Sequence, residues 1–321
     1  MNGKLKVTIG ICAYNVEKYI MQSLKSALDQ TYENIDVIVI DDGSTDGTGA
    51  LLDFVSDDRL TVVHKQNEGL AAGREQLIQM LGGDAVYWLD ADDYLLPNAV
   101  ANNVFLMEKH SADIVKTALF KKDEALCGIY TREAYMHILL PDTIKSNVIG
   151  CLIKKEAYDG VHHKIGLIND DYYAFPRVAD NTRKIVLENS GTYHYREVRP
   201  GSITHSGRSS FSGFYPRAIH RNDRYERYRQ EFPDECRIVL KQFTDYACMS
   251  CLYGGNDPRV DEIKALLVSR EDDIARCGTV SAYKKWLVRE ILSNEKALGA
   301  ARVLHKIKGR ARTILERLGR Q

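Results

Sequence analysis

The sequence predicts an α/β protein with a mostly parallel sheet flanked by helices, followed by a mostly helical C-terminal region. Two patterns support this prediction. In roughly the first hundred residues, short runs rich in Val and Ile alternate with segments of helical periodicity, which is typical of parallel strands joined by crossover helices. Beyond about residue 207, long polar segments rich in Arg, Tyr and Glu repeat apolar residues every three or four positions.

The predicted elements of the first part follow one another along the chain. Apolar runs predict strands at residues 5–13, 36–41, 60–64 and 85–89. The second run is continuous in Val and Ile, as expected for a strand covered on both faces. Helical spacing predicts helices at residues 16–30, 69–81 and 97–109, and a further strand is expected within 112–120. Residues 121–205 give few clear signals.

Composition argues against several classes of protein. The 321 residues include 44 acidic and 44 basic side chains, so net charge gives no reason to expect a nucleic-acid partner. No apolar run reaches about 18 residues, so we expect no transmembrane helix. The 7 cysteines are odd in number and scattered, which favours a reducing cytoplasm over a disulfide framework. Cys248 and Cys251 fit two core thiols better than a zinc or redox site.

Polar residues follow each of the four predicted parallel strands. Tyr14 and Asn15 follow the first strand, Asp42 follows the second, Asn67 comes after the third, and the fourth runs into Asp90. In an open α/β sheet, ligands bind at the carboxyl ends of the strands. We therefore expect these polar residues to lie along one edge of the sheet, where they can contact a common ligand.

Three carboxylates, those of Asp90, Asp92 and Asp93, follow the fourth strand in close succession. Groups packed this closely repel one another unless a cation lies among them, which favours a divalent cation with phosphate beyond it. A solvated acidic turn at the strand end explains the same residues without a ligand. Together with Asp42 and Arg74, this acidic cluster contains the groups needed to hold a nucleotide diphosphate with Mg²⁺ or Mn²⁺.

A second acidic pair, Asp170 and Asp171, precedes the aromatic residues Tyr172, Tyr173 and Phe175. A carboxylate near apolar and aromatic groups can have its pKa raised enough to serve as a general base. An Asp-Asp pair is also typical of a helix N-terminus, where negative charge is favourable. The residues alone leave both interpretations open.

With these motifs the chain resembles the family 2 glycosyltransferases of the GT-A fold, the inverting enzymes that build bacterial capsule, lipopolysaccharide and related polysaccharides. The matching segments include Asp41-Asp42-Gly43-Ser44 and Asp90-Ala91-Asp92-Asp93, and they occupy residues 7–15, 26–36, 39–47, 67–74 and 89–97 in the family's order and spacing. The resemblance implies a Rossmann-like sheet and a metal-dependent enzyme. Such an enzyme moves a sugar from a nucleotide-sugar, here a UDP-sugar, to an acceptor hydroxyl.

The resemblance also implies a role for each motif residue. The donor is expected to contact Ala13, Tyr14, Asn15, Asp42, Asn67, Arg74 and Asp90, with Asp42 on the uracil, Arg74 on the base or diphosphate and Asp90 near the ribose. Asp92 and Asp93 would hold Mn²⁺ or Mg²⁺. Asp171 would be the general base, and Asp170 stands where the family usually has Glu. In an inverting transfer the base takes the acceptor proton, and the metal neutralises the departing diphosphate without a covalent nucleophile.

The implied organisation is a GT-A domain at residues 1–205 and a helical region at 206–321. Within the domain, residues 1–118 would form the nucleotide-sugar half and residues 119–205 the acceptor half. The implied acceptor is a saccharide or a lipid-linked saccharide. A GT-A-shaped protein that binds a nucleotide-sugar or a partner without turnover is the alternative. A receiver-like phosphorylation switch fits poorly, because the Asp pair ends the second strand rather than the first.

The last stretch of the chain, residues 302–321, predicts an amphipathic helix. Apolar residues from Leu304 to Leu318 share one face, and Arg and Lys occupy the rest. Such a helix can lie on an anionic membrane surface or dock its apolar stripe on the protein, and the sequence favours neither. The expected location is cytoplasmic, with peripheral contact to the inner face of the membrane if the first interpretation holds.

Overall fold

The computed structural model describes residues 4–196 and 210–293. The chain forms two compact units, Met1–Pro200 and Gly201–Gln321. The boundary predicted at 205/206 and the amphipathic helix predicted at 302–321 lie outside the described residues.

An 8-stranded sheet in the order β3-β2-β1-β4-β8-β6-β9-β7 forms the centre of the first unit. Its strands are β1 (Val7–Ala13), β2 (Ile35–Asp41), β3 (Leu60–His64), β4 (Ala85–Asp90), β6 (Ile114–Thr117), β7 (Gly128–Thr131), β8 (Cys151–Lys154) and β9 (Lys184–Glu188). The first four strands are parallel to one another, β8 is antiparallel to both of its neighbours, and β7 is antiparallel to β9. A separate two-stranded sheet pairs β5 (Tyr94–Leu95) with β10 (Tyr193–His194).

The helices of this unit are α1 (Ile20–Leu28), α2 (Thr48–Asp53), α3 (Leu70–Gln79), α4 (Ala99–His110), α5 (Lys121–Glu124), α6 (Arg132–Leu139) and α7 (Asp171–Asp180). Helix α3 packs closely on the sheet, because a Cβ at Gly10 would lie 2.9 Å from Leu77 and one at Gly73 would lie 3.3 Å from the Cys12 Sγ. These glycines let α3 approach β1. The approach at Gly73 brings the next residue, Arg74, over the end of the strand.

The predicted α/β class and mostly parallel sheet are confirmed. Predicted strand 85–89 extends by one residue to Asp90, and the strand expected within 112–120 is limited to Ile114–Thr117. Within residues 121–196 the strands have only two to five residues and alternate with short helices and loops, which explains why this part of the chain gave few signals. Burial among neighbouring strands, rather than local periodicity, stabilises such short elements.

The second unit is helical, as predicted. Its helices are α8 (Phe211–Tyr228), α9 (Pro233–Tyr253), α10 (Arg259–Ser269), α11 (Glu271–Arg276) and α12 (Ala282–Ser293). Cys248 and Cys251 lie buried on α9 as reduced thiols, and burial raises the pKa of Cys248 to about 12. They are therefore core residues rather than ligands or redox groups. Of the helices in residues 4–196 and 210–293, none has the length and apolar character that crossing a membrane requires.

Candidate active site

The four parallel strands end side by side along one edge of the sheet. Asp90 on β4 is level with Cys12 on β1, Ala13 on β1 is level with Asp41 on β2, and Asp41 is level with His64 on β3. The polar residues that follow these strands are therefore neighbours, as the sequence predicted. We call this row the carboxyl edge.

Asp42 organises the loop that follows β3. Its buried carboxylate accepts hydrogen bonds from the Lys65 Nζ at 3.0 Å, the Glu68 N–H at 3.0 Å and the Gly69 N–H at 2.7 Å. Glycine is needed next to Asp42, because Gly43 has φ +71 and a Cβ there would lie 2.7 Å from the Asn67 backbone nitrogen. Asp42 thus fixes the loop that carries Asn67, whose side chain is exposed.

The residues after β1 form the adjoining surface. Tyr14 is exposed, and Asn15 has a left-handed backbone with φ 51. The Asn15 N–H donates to the Ser44 Oγ at 3.0 Å, and its Oδ1 accepts from the Thr45 N–H at 2.7 Å. These two bonds join the end of β1 to the turn after β2. The exposed Tyr14 ring is left facing solvent beside that junction.

The acidic cluster has the geometry of a cation site. Asp90, Asp92 and Asp93 each offer a carboxylate oxygen, and these oxygens lie within 4.8 Å of one another. Asp93 is the buried member, and its two oxygens accept from the Tyr193 Oη and the Arg196 N–H, both at 2.8 Å. Burial raises the pKa of Asp93 to about 6, although both of these hydrogen bonds act in the opposite direction.

Arg74 is 3% exposed and lies among carboxylates. Its Nη1 is 2.5 Å from the Asp171 Oδ1 and 3.2 Å from the Asp170 Oδ2, and its Nη2 is 3.7 Å from the Asp90 Oδ1. One guanidinium therefore links the end of β4 to the start of α7. Opposite charges so close together favour the charged forms of both partners.

The Asp170-Asp171 pair begins α7, but the carboxylate of Asp170 does not cap the helix. It binds Arg74 instead, and its Oδ2 is also 2.8 Å from the His163 Nδ1. The helix-terminus interpretation therefore does not account for this side chain. The pair joins two segments that are 96 residues apart in sequence.

The two carboxyls differ in acidity. Burial would raise the pKa of Asp170, but Arg74 and His163 outweigh it and hold that pKa well below its usual range. Burial raises the pKa of Asp171 to about 7, and the nearby charges of Asp170 and Asp90 add to the rise while Arg74 opposes it. Asp171 keeps a side-chain exposure of 19%, so one of the two carboxyls can still be reached from solvent.

Sequence reasoning assigned no role to several residues that hold this site together. The Tyr193 Oη accepts from the Asp90 N–H at 3.1 Å as well as donating to Asp93, and the Arg196 Nε donates to the Asp92 carbonyl at 2.8 Å. Tyr193 and Arg196 lie 100 and 103 residues after Asp93, so local sequence patterns do not indicate these contacts. His163 and Glu75 carried no signal, because they contact each other across 88 residues of sequence.

Comparison with known proteins decides the family. The sequence pattern of the family described as "Glycosyl transferase family 2" matches residues 8–166, which include the carboxyl edge, Arg74 and the acidic cluster. The chain belongs to glycosyl transferase family 2. This family 2 glycosyltransferase has the GT-A fold: it superposes on Staphylococcus aureus TarS 1–349 in complex with UDP-GlcNAc with a TM-score of 0.62 and 15% identity, covering 90% of each chain.

Two curated relatives match the glycosyltransferase by sequence. Glycosyltransferase GlyA of Streptococcus pneumoniae is 27% identical over 219 residues, which are 62% of this chain and 31% of GlyA. WfaP of Escherichia coli, named a UDP-Glc:alpha-D-GlcNAc-diphosphoundecaprenol beta-1,3-glucosyltransferase, is 32% identical over 128 residues, 39% of this chain and 51% of WfaP. The chain thus spans about a third of GlyA and about half of WfaP.

Proposed function

We propose that this protein transfers a sugar, with inversion, from a UDP-sugar to an acceptor hydroxyl in polysaccharide or glycoconjugate synthesis. One observation carries the proposal: Asp171, a largely buried acid with raised pKa, shares Arg74 with Asp90 of the acidic cluster. A proton acceptor and a cation-binding group are thereby held beside one another. Inverting transfer needs these two groups and no covalent nucleophile.

The proposed donor site is the carboxyl edge. Ala13, Tyr14 and Asn15 provide backbone and side-chain surface next to the base, and Asp42 and Asn67 define the facing loop. Because the Asp42 oxygens already order that loop, we propose that Asp42 contributes to base recognition mainly by fixing its shape. UDP is supported by two similar proteins: TarS has been crystallised with UDP-GlcNAc, and WfaP is named a UDP-Glc glucosyltransferase.

The acidic cluster fits a divalent cation, Mn²⁺ or Mg²⁺. Oxygen ligands from one or two carboxylates, completed by phosphate oxygens, are what Mg²⁺ prefers. We propose Asp92 and Asp93 as the ligands, with Asp93 held in place by Tyr193 and Arg196, and Asp90 directed towards the ribose. When bound, the cation neutralises charge on the departing diphosphate.

Asp171 is proposed as the general base. A base works best when its pKa is near the working pH, and burial raises the pKa of Asp171 to about 7. Arg74 orients the carboxylate through the 2.5 Å contact while its other nitrogen faces Asp90. We therefore propose that Arg74 acts on the donor side through Asp90, in addition to any contact it makes with the nucleotide.

The acceptor is proposed to be a saccharide or a lipid-linked saccharide. WfaP is named for a diphosphoundecaprenol-linked GlcNAc acceptor. That name is the support for a lipid-linked acceptor in this chain.

The experiment is a donor screen. Purified protein is incubated with UDP- and GDP-sugars, Mn²⁺ and a panel of saccharide acceptors, while nucleoside diphosphate release is followed. We expect release with at least one UDP-sugar, lost on chelation and lost in Asp92→Ala. If no donor turns over and Asp92→Ala binds donor as wild type does, the protein is a nucleotide-sugar binder and the proposal is wrong.

A further inference from the structure

A chain of buried polar contacts lies behind Asp171. The Glu75 Oε2 accepts from the His163 backbone N–H at 2.8 Å, the His163 Nδ1 contacts the Asp170 Oδ2 at 2.8 Å, and Asp170 contacts Arg74. Arg74 and Glu75 are consecutive residues of α3, so the contacts close a ring. We call Glu75, His163, Asp170 and Arg74 the buried ring.

We propose that His163 is a positioning residue for the transfer reaction, holding the Asp170 carboxylate in a fixed orientation at the Arg74 Nη1 so that the same nitrogen orients Asp171. The inference rests on the proposed role of Asp171 as general base. His163 touches neither the acidic cluster nor the donor surface among the contacts of the described residues, so its effect passes through Asp170.

The hydrogen-bonding state of His163 supports this role. Its side chain is fully buried, and its Nε2 has no hydrogen-bond partner among residues 4–196 and 210–293. Since an ionised Asp170 can only accept, the Nδ1 must carry the proton that joins them. The neutral tautomer with Nδ1–H satisfies Asp170 and leaves an orphan acceptor, whereas a second proton on Nε2 would add a buried donor without a partner. Leaving a buried polar atom without a partner is unfavourable, and the hydrogen bond to the charged Asp170 offsets this cost.

The backbone beside His163 is fixed from the same helix as Arg74. Two hydrogen bonds, from the His163 N–H and from the His162 ring, outweigh burial and lower the pKa of Glu75. Glu75 therefore stays ionised and anchors the segment. Because Arg74 and Glu75 rise from one helix turn, any movement of α3 carries both ends of the buried ring together.

Asp170 and Asp171 share the Arg74 Nη1, so without the His163 hydrogen bond Asp170 would be free to rotate and compete with Asp171 for that nitrogen. The base would lose its orientation while the donor surface, formed by other elements, stayed intact. Loss of a hydrogen-bond partner that orients a metal ligand typically costs about 10–100-fold in activity, and we expect a loss of the same order for a partner that orients the base. The expected signature is therefore a fall in kcat at constant KM for the donor.

The test compares three variants with wild type. His163→Leu removes the donor, and His163→Asn keeps an N–H close to the position of Nδ1 without a titratable ring. His110→Leu is the matched control, because His110 lies at the end of α4 and forms none of the buried-ring contacts. We expect kcat to fall about 10–100-fold in His163→Leu, to return within about threefold of wild type in His163→Asn, and to be unchanged in His110→Leu.

Equal losses of kcat in the Leu and Asn variants would overturn the proposal, because the imidazole of His163 would then act only by filling space. Wild-type kcat in His163→Leu would overturn it as well. A second readout does not require turnover: ¹⁵N NMR of histidine-labelled wild-type protein at pH 7.5 should show His163 protonated on Nδ1 and bare on Nε2. A proton on Nε2 with a bare Nδ1 would contradict the inference about His163 even if the protein transfers a sugar. Absence of any transfer by wild type would contradict the proposed function alone.

Discussion

Replacing Asp171 by Asn tests its role as the general base separately from any role in donor binding. Asn keeps an oxygen for the 2.5 Å contact with the Arg74 Nη1 but cannot accept the acceptor proton. General-base catalysis contributes about 10²–10⁴-fold, which corresponds to about 3–5 kcal/mol of barrier at about 1.4 kcal/mol per tenfold. We expect kcat to fall by that factor while the Kd for UDP-sugar stays within about twofold.

The same substitution should not weaken the fold. A carboxyl whose pKa is raised binds its proton more tightly in the folded state than in the unfolded state. The stability that the protonated Asp171 contributes is therefore lost as pH rises from about 4 to about 7. Asn has no charge to bury. The thermal midpoint of Asp171→Asn should therefore equal or exceed that of wild type at pH 8, with the difference disappearing near pH 4.

The assay is nucleoside diphosphate release under saturating acceptor, with donor Kd measured by calorimetry. Asp159→Asn is the matched control, because Asp159 is an exposed Asp on the segment before α7. Its kcat and donor Kd should equal those of wild type. For wild type, kcat/KM should rise with pH through about 7, because the base must be deprotonated. Wild-type turnover in Asp171→Asn would refute the assignment and move the base to Asp170 or elsewhere.

The remaining predictions test the metal site, the packing of α3 and the C-terminal tail. Asp92→Ala should raise the Mn²⁺ concentration needed for half-maximal activity at least tenfold, measured by metal titration of chelator-treated protein; an unchanged titration would remove Asp92 from the site. Tyr193→Phe removes the hydroxyl shared by the Asp90 N–H and Asp93 and should lower stability by about 1–3 kcal/mol, read from urea unfolding. Gly73→Val places a side chain against Cys12 and should cost about 1–3 kcal/mol in the same assay, and a stability equal to wild type would show that α3 can shift. Deleting residues 302–321 should reduce pelleting with anionic vesicles, and equal pelleting would favour a docked helix.

The parallel half of the sheet could be predicted because each of its strands is a buried apolar run. Predicted strand 60–64 coincides with β3, and 36–41 differs from β2 by one residue. The antiparallel strand β8 could not be predicted, because its four residues are specified by pairing with β4 and β6 rather than by a pattern of their own. Long-range pairing of this kind leaves no periodic trace in a short segment.

The carboxyl edge could be predicted from strand order alone, because parallel strands end on the same side. Resemblance to the family indicated Asp171 and Arg74, but not that the two touch. Their contact depends on the close packing of α3 at Gly73 and on the return of the chain at residue 170. His163 was missed for the same reason: its partner is a carboxylate held in place by a third, distant residue.

The stereochemistry of the product tests the central claim most directly. With a donor and acceptor identified by the screen, the anomeric proton of the product is read by ¹H NMR. An α-linked UDP-sugar should give a β-linked product, because Asp171 removes a proton and forms no bond to the sugar. An α-linked product would show retention, and Asp171 could not then be acting as the general base of an inverting transfer.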